Sequence, residues 1–235
     1  STFSKWHEFI TTPFHGFGNN TLPIWYPSSN AKFTLHRTIV QKQNSPYKKA
    51  TAFVTALQSG KQQKLLGAYR LYINEESVGI GPGRGDGPTN AGNHTPFDSI
   101  DVTGAVMLSN ATNMVIGLQC YSAGDSGESG VMLELHLEHI DGTKSIVSTT
   151  NNVHHSGSLG WMSFDATTAF GPTNMEGHYN APQENQDASL MPLGWQSLSF
   201  NASTSWKTPK ISAEIITYPK ITLPLNISTG RKPVR

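Results

Sequence analysis

The sequence predicts an all-β protein: a two-sheet antiparallel β-sandwich of jelly-roll type, with long loops and an extended C-terminal linker. Three observations predict it. Short runs of alternating apolar and polar residues, the period of a half-buried strand, recur along the chain. Turn-forming residues separate them, and with 22 Gly and 14 Pro there are enough to close every hairpin. No heptads, internal repeat or amphipathic helix longer than two turns interrupts the pattern. At 235 residues the chain can bury a substantial core as one domain of this kind.

Residues 1–30 hold Trp6, Phe9, Phe14, Phe17, Trp25 and Tyr26 among Pro, Gly and Asn, which reads as an irregular segment pinned to a sheet by aromatic anchors. Residues 32–40 form the first long strand, with Phe33, Leu35, Arg37 and Ile39 on one face. Residues 50–57 form the second, and their alanines allow close packing against a facing sheet. The chain is organised around residues 65–121. Tyr69, Leu71 and Ile73 alternate with Arg70 and Tyr72. Next come a tight turn over 74–77, a short strand over 78–80, a long polar loop over 81–95 and strands over 97–102 and 114–120. After a second Gly/Ser/acidic loop, residues 131–139 alternate again. Val131, Leu133, Leu135 and Leu137 point inward, while Glu134, His136 and Glu138 face solvent. Asp141-Gly142 predicts a hairpin into 144–149. A strand over 161–166 precedes an irregular excursion over 171–194, and Trp195, Phe200 and Trp206 anchor the chain beyond it. The expected organisation is an N-terminal segment (1–30), the sandwich (31–210) and a linker toward a further domain (211–235), containing one short strand and then Pro-punctuated chain.

Composition excludes several function classes. A net charge of +1 leaves no electrostatic footprint for nucleic acid, and no apolar run reaches the roughly 20 residues that span a bilayer. Charged residues at 14%, with abundant Ser, Thr and Asn, suit a secreted, extracellular protein whose mature chain starts at Ser1. Glycosylation sequons at Asn19, Asn93, Asn110, Asn201 and Asn226 agree with that compartment. Cys120 stands alone in an apolar strand and reads as a buried structural thiol.

For chemistry, glycoside hydrolysis needs two carboxyls facing each other across the scissile bond. Asp86, Asp125, Glu128, Glu176, Glu184 and Asp187 all lie in loop-like chain. Two readings stand for them. Asp in such loops makes Asx-turns and ends strands, and Asp101 before Val-Thr reads the same way. Alternatively, the hard oxygen ligands over 84–101 and 122–128, Asp125 and Glu128 among them, hold a Ca²⁺ ion, although the D-x-D-x-D-G spacing is absent. His154-His155 points opposite ways on extended chain and makes a poor zinc pair, and His94, His136 and His178 lack helical partners. Arg84-Gly85-Asp86 is a common tripeptide in a Gly-rich loop. Trp161 and Trp195 flank the 171–194 excursion, where a ring either anchors a covering segment or stacks on a sugar.

The stretch AYRLYINEESVGIGPGRGDG, followed by SIDVTGAVMLSNATNMVIGLQC, resembles the β-sandwich that precedes the catalytic barrel in α-L-rhamnosidases. The matching features are Tyr69 to Asn74, Val78-Gly79, Gly81-Pro82-Gly83, Asp101-Val102-Thr103 and Asn113 to Gly117. Further on, Glu184, Asp187-Ala188 and Gly194-Trp195 are similar to another segment of that family. The chain departs from the pattern at Glu75, in place of a turn glycine, at Ser189, in place of an arginine, and in SAGDSGESG, in place of a Gly/Trp-rich loop.

The resemblance implies a non-catalytic module of a secreted glycosidase, whose hydrolytic acids sit on a separate downstream helical barrel. It would bind L-rhamnose-type carbohydrate, some such sandwiches doing so through calcium, or support the barrel. Asn74, Asp86, Asp125, Glu128, Trp161 and Trp195 are the candidate carbohydrate contacts, and Asp125 and Glu128 the calcium ligands. The basic end KPVR is a candidate processing cut. The alternative is a freestanding lectin-like or cell-surface sandwich without hydrolytic activity. A third reading is a small glycosidase using Asp86, Glu128 and Glu184.

Overall fold

The computed structural model describes residues 17–28, 30–42, 45–58, 67–82, 97–108, 112–122, 129–150, 160–170, 186–202 and 204–212. The strands in chain order are β1 (Ile24–Trp25), β2 (Phe33–Gln41), β3 (Tyr47–Gln58), β4 (Ala68–Ile73), β5 (Glu76–Gly81) and β6 (Asp98–Asp101). They continue as β7 (Asn113–Tyr121), β8 (Ser129–His139), β9 (Lys144–Ser148), β10 (Met162–Asp165) and β11 (Lys210–Ile211). One short helix, α1 (Thr103–Leu108), sits between β6 and β7. The strands form two antiparallel sheets, β11-β1-β8-β3-β6 with β9 paired to β8, and β10-β2-β7-β4-β5. This is the two-sheet β-sandwich the alternation predicts.

The core between the sheets arises from the side-chain period. Ala50, Ala52, Val54 and Ala56 of β3 and Val131, Leu133, Leu135 and Leu137 of β8 face Tyr69, Leu71 and Ile73 of β4 and Met114, Ile116, Leu118 and Cys120 of β7. The alanines of β3 let the layers approach closely. Cys120 is buried there, and burial pushes its thiol pKa up, as expected for a structural cysteine. Ile24 and Trp25 pair with Ile211 and Lys210, so both flanks of the expected 31–210 domain contribute to the sheet at these positions. Of the strand expected within 211–235, only Ile211 and Ser212 fall among the described residues.

A second apolar layer covers the outside of the smaller sheet. Phe33 and Leu35 of β2 and Tyr121 of β7 lie beneath Phe170, Trp195 and Trp206, with Tyr72, Phe164 and Phe200 packed against them. The face of β2 bearing Phe33, Leu35 and Arg37 therefore meets this cover, while Val40 on the opposite face joins the inter-sheet core. Arg37 is buried with it. Its two terminal nitrogens donate to the carbonyls of Ser197 (3.0 Å) and Phe200 (3.3 Å), and its guanidinium lies 5.3 Å from the Phe200 ring centroid. Alternation alone does not reveal that β2 is buried on both sides.

Two further details differ from expectation. The turn expected over 74–77 closes in two residues, Asn74 and Glu75, with φ of 49° and 72°, so Ile73 pairs with Glu76. Thr103–Leu108 coils into a helix, started by the Asp101 carboxylate, which accepts from the Thr103 backbone N–H (3.0 Å) and hydroxyl (2.6 Å). Asp101 is thus a turn former, and Asp187 does the same for Ser189.

Candidate functional site

Of the predicted carbohydrate contacts, Asn74, Trp161 and Trp195 are among the described residues, whereas Asp86, Asp125 and Glu128 lie outside them, as do Glu176, Glu184, Arg84 and His154-His155. Neither indole presents an open face. Trp161 is 3% exposed, belongs to the inter-sheet core and donates from Nε1 to the Ser148 carbonyl (2.8 Å). Trp195 is equally buried, its ring edge-on to Tyr72 at 5.5 Å and beside Trp206 at 6.4 Å. Both hold layers together in this arrangement, because a stacking platform needs one ring face in water. Asn19 and Asn201 are exposed, as an acceptor asparagine must be, while Asn93, Asn110 and Asn226 fall outside the described residues.

Asn74 lines a cleft of about 370 Å³ at one end of the smaller sheet. The β4–β5 turn forms one wall with Asn74, Glu75 and Glu76, α1 supplies Ala105 and Leu108, and the covering segment supplies Gln196, Ser197 and Leu198. Sequence-distant pieces meet because α1 begins where β6 ends and the covering segment crosses the outer face of β7. The amide of Asn74 is committed to this scaffold. Its Oδ1 accepts from the Val115 N–H (3.0 Å), its backbone N–H donates to the Val115 carbonyl (3.0 Å), and Nδ2 reaches the Ala105 carbonyl (3.4 Å). That leaves Glu75, Glu76, Gln196 and Ser197 as polar lining, beside the apolar side chains of Ile73, Leu198 and Leu108, the last 75% exposed. The cleft was not legible in the sequence. The one signal pointing to it is Glu75, a non-glycine at a turn position with φ of 72°.

Two buried carboxylates lie elsewhere. Asp98 of β6 accepts from the Tyr69 hydroxyl at 2.5 Å. Burial first, and the Asp98 carboxylate second, push the Tyr69 phenol above its ordinary range. A side chain at Gly81 would collide with both groups, which explains why the chain runs through glycine there.

Glu134 corrects an expectation. Alternation places it in solvent with His136 and Glu138, yet it is 4% exposed. Residues 17–22 cross the outer face of the larger sheet and cover it. The Gly18 backbone N–H and the Thr21 hydroxyl both donate to Oε1 at 2.5 Å, and His136 Nε2 lies 2.7 Å from Oε2. Glu138, by contrast, is an exposed-face residue paired with Lys48 at 2.7 Å. Among the described residues no three His, Cys, Asp or Glu side chains converge in a metal-holding group.

No known protein family's sequence profile matches this chain. No curated protein sequence matches it either. Solved structures do. An α-L-rhamnosidase from Aspergillus terreus superposes with a TM-score of 0.56 at 19% identity, over 82% of this chain and 21% of that one. One from Dictyoglumus thermophilum gives 0.55 at 15% identity, over 81% and 21%. The Streptomyces avermitilis enzyme, solved with L-rhamnose, gives 0.54 at 16% identity, over 87% and 16%. At these identities the likeness establishes the sandwich fold, and this chain spans only 16–21% of proteins several times its length.

Proposed function

We propose that this chain is a non-catalytic β-sandwich module of a secreted α-L-rhamnosidase-type glycoside hydrolase, which binds L-rhamnose-type carbohydrate or supports the catalytic barrel. One observation carries the reading. The motif residues that resemble the rhamnosidase sandwich lie on β4, β5 and β7, neighbours in the smaller sheet (Tyr69 to Asn74, Val78-Gly79, Asn113 to Gly117), and on β6–α1 at the edge of the larger one (Asp101 to Thr103), inside a fold that three rhamnosidases share. The hydrolytic carboxylates belong, in this reading, to a downstream barrel. Asp125 and Glu128 are proposed as calcium ligands beside the sugar, and Asn19, Asn93, Asn110, Asn201 and Asn226 as glycan acceptors of an extracellular chain.

Isothermal titration of the purified chain with L-rhamnose, with and without calcium, tests this. Calcium-dependent heat supports a carbohydrate-binding module. Binding that is indifferent to calcium removes the proposed ion and keeps the sugar. Absence of heat in both conditions removes the sugar-binding role and leaves support of a neighbouring domain.

A further inference from the structure

Residues 17–22 lie across the larger sheet, and the contact centres on one buried acid more than a hundred positions away in sequence, Glu134 of β8. Glu134 Oε1 takes two 2.5 Å hydrogen bonds from this strap, from the Gly18 N–H and the Thr21 hydroxyl, while Oε2 pairs with His136. A second tie, from the Leu22 N–H to the Thr149 carbonyl (2.8 Å), adjoins the strand that Thr149 caps through Leu133. The strap is folded on itself by one bond, Thr21 N–H to the Gly18 carbonyl (2.9 Å). Its apolar attachment is an edge-on contact of Phe17 with Phe97 at 6.3 Å, and Phe97 in turn meets Phe53.

The electrostatic surroundings of Glu134 are sparse. The strap carries no charge between Phe17 and Leu22. Opposite Glu134, β3 presents Phe53 and β9 presents Ser148. Along the same face, Thr51 stands between His136 and Asp101 of β6, and the Asp101 carboxylate is taken up by Thr103. Lys49 and Lys144 pair across from Glu138, which also binds Lys48. His136 is therefore the one titratable group among the described residues that touches Glu134.

We propose that the Glu134 carboxylate is an acid-sensitive latch: ionised, it clamps residues 17–21 onto the larger sheet, and protonated, it releases them ahead of the sandwich. A carboxylate accepts charge-assisted bonds, roughly twice as strong as neutral ones, and protonation removes that strength from three contacts at once. Burial acts to raise the Glu134 pKa, but the bonds from His136, Thr21 and Gly18 outweigh it and hold the carboxyl below its ordinary value. The latch is therefore at full strength above the unfolded pKa, about 4.3, and weakens as pH falls through the lower folded value. Release requires protonation of Glu134 itself.

Amide hydrogen exchange, corrected for intrinsic rates, tests this on the whole chain. Protection of Gly18, Thr21 and Leu22 is compared with that of Ile116 and Leu118 in β7 at pH 7, 5 and 3. Strap protection is expected to fall about tenfold or more between pH 5 and pH 3 and to stay below that of β7 throughout, because β7 amides open with the whole sandwich and carry the separate acid sensitivity of buried His36. E134Q keeps the shape and loses the charge, so its strap shows reduced protection at pH 7 and no step. T21V removes one donor, lowering protection at pH 7 while keeping the step. The latch is overturned if strap and β7 amides are equally protected at each pH, so that they open together, if strap protection stays constant to pH 3, or if E134Q retains wild-type protection and its step.

Discussion

The indole of Trp195 rests on Gly117. A Cβ added at Gly117 would lie 2.8 Å from Trp195 Cζ3 and 3.0 Å from Cη2. This contact joins the central strand β7 to the segment that covers the sheet, and the same indole also meets Tyr72 on β4. Glycine weakens a strand interior, so its presence mid-strand needs such a reason.

Gly117→Ala is expected to destabilise the protein by about 1–3 kcal/mol, the range for overpacking a filled site. Chemical denaturation followed by tryptophan fluorescence measures it. A variant as stable as the wild type would show that the cover shifts freely over β7.

Glu75 is exposed with φ of 72°, in the two-residue turn between β4 and β5. Side chains with a Cβ lose roughly 1 kcal/mol in that region relative to glycine. Glu75→Gly should therefore raise stability by about that amount. It also deletes a carboxylate from the cleft, so if the cleft contributes to ligand binding, the more stable variant binds less tightly in the same calorimetric titration.

His36 is fully buried in β2, with Nε2 2.9 Å from the Thr34 hydroxyl, and burial pushes its pKa down to about 3. In the unfolded chain it titrates near 6.5. Between those values the unfolded state binds the extra proton, so stability is present above pH 6.5 and falls as pH drops toward 3. The slope from this one group approaches about 1.4 kcal/mol per pH unit. Urea titrations at pH 7, 6, 5 and 4 measure the slope, and His36→Leu should flatten it whatever its effect on stability at pH 7. An unchanged slope in that variant would assign acid sensitivity to other groups.

Arg37 is buried with carbonyls and a ring as partners, and no described carboxylate pairs with it. Arg37→Lys keeps the charge, but one ammonium does not reproduce a planar fork that bonds Ser197 and Phe200 while stacking on the Phe200 ring. A loss of about 1–3 kcal/mol is expected. Proteolysis should show the segment around Trp195 opening before the sandwich. Wild-type resistance in this variant would show that the aromatic cluster alone holds the cover.

Local pattern by itself determined the sandwich and its inner face. Tyr69, Leu71 and Ile73, and Val131 through Leu137, repeat every second residue, and only one facing of each strand buries them all. Turn chemistry was legible in the same way, since Asp101 and Asp187 act within two residues of themselves. Only the tertiary structure decided what lies on the outer faces. Glu134 reads as a solvent-facing residue and Arg37 as the one charge on the face of its strand that bears Phe33, Leu35 and Ile39, with nothing to say what covers either; each is buried by chain arriving from far away, Gly18 and Thr21 over one and Ser197 and Phe200 over the other. For Trp161 and Trp195 the sequence leaves anchoring and sugar stacking both open, and packing closes both rings. The physical reason is range: side-chain alternation encodes which face of a strand is apolar, whereas the covering of a polar face is a contact between distant segments that leaves no period in either of them.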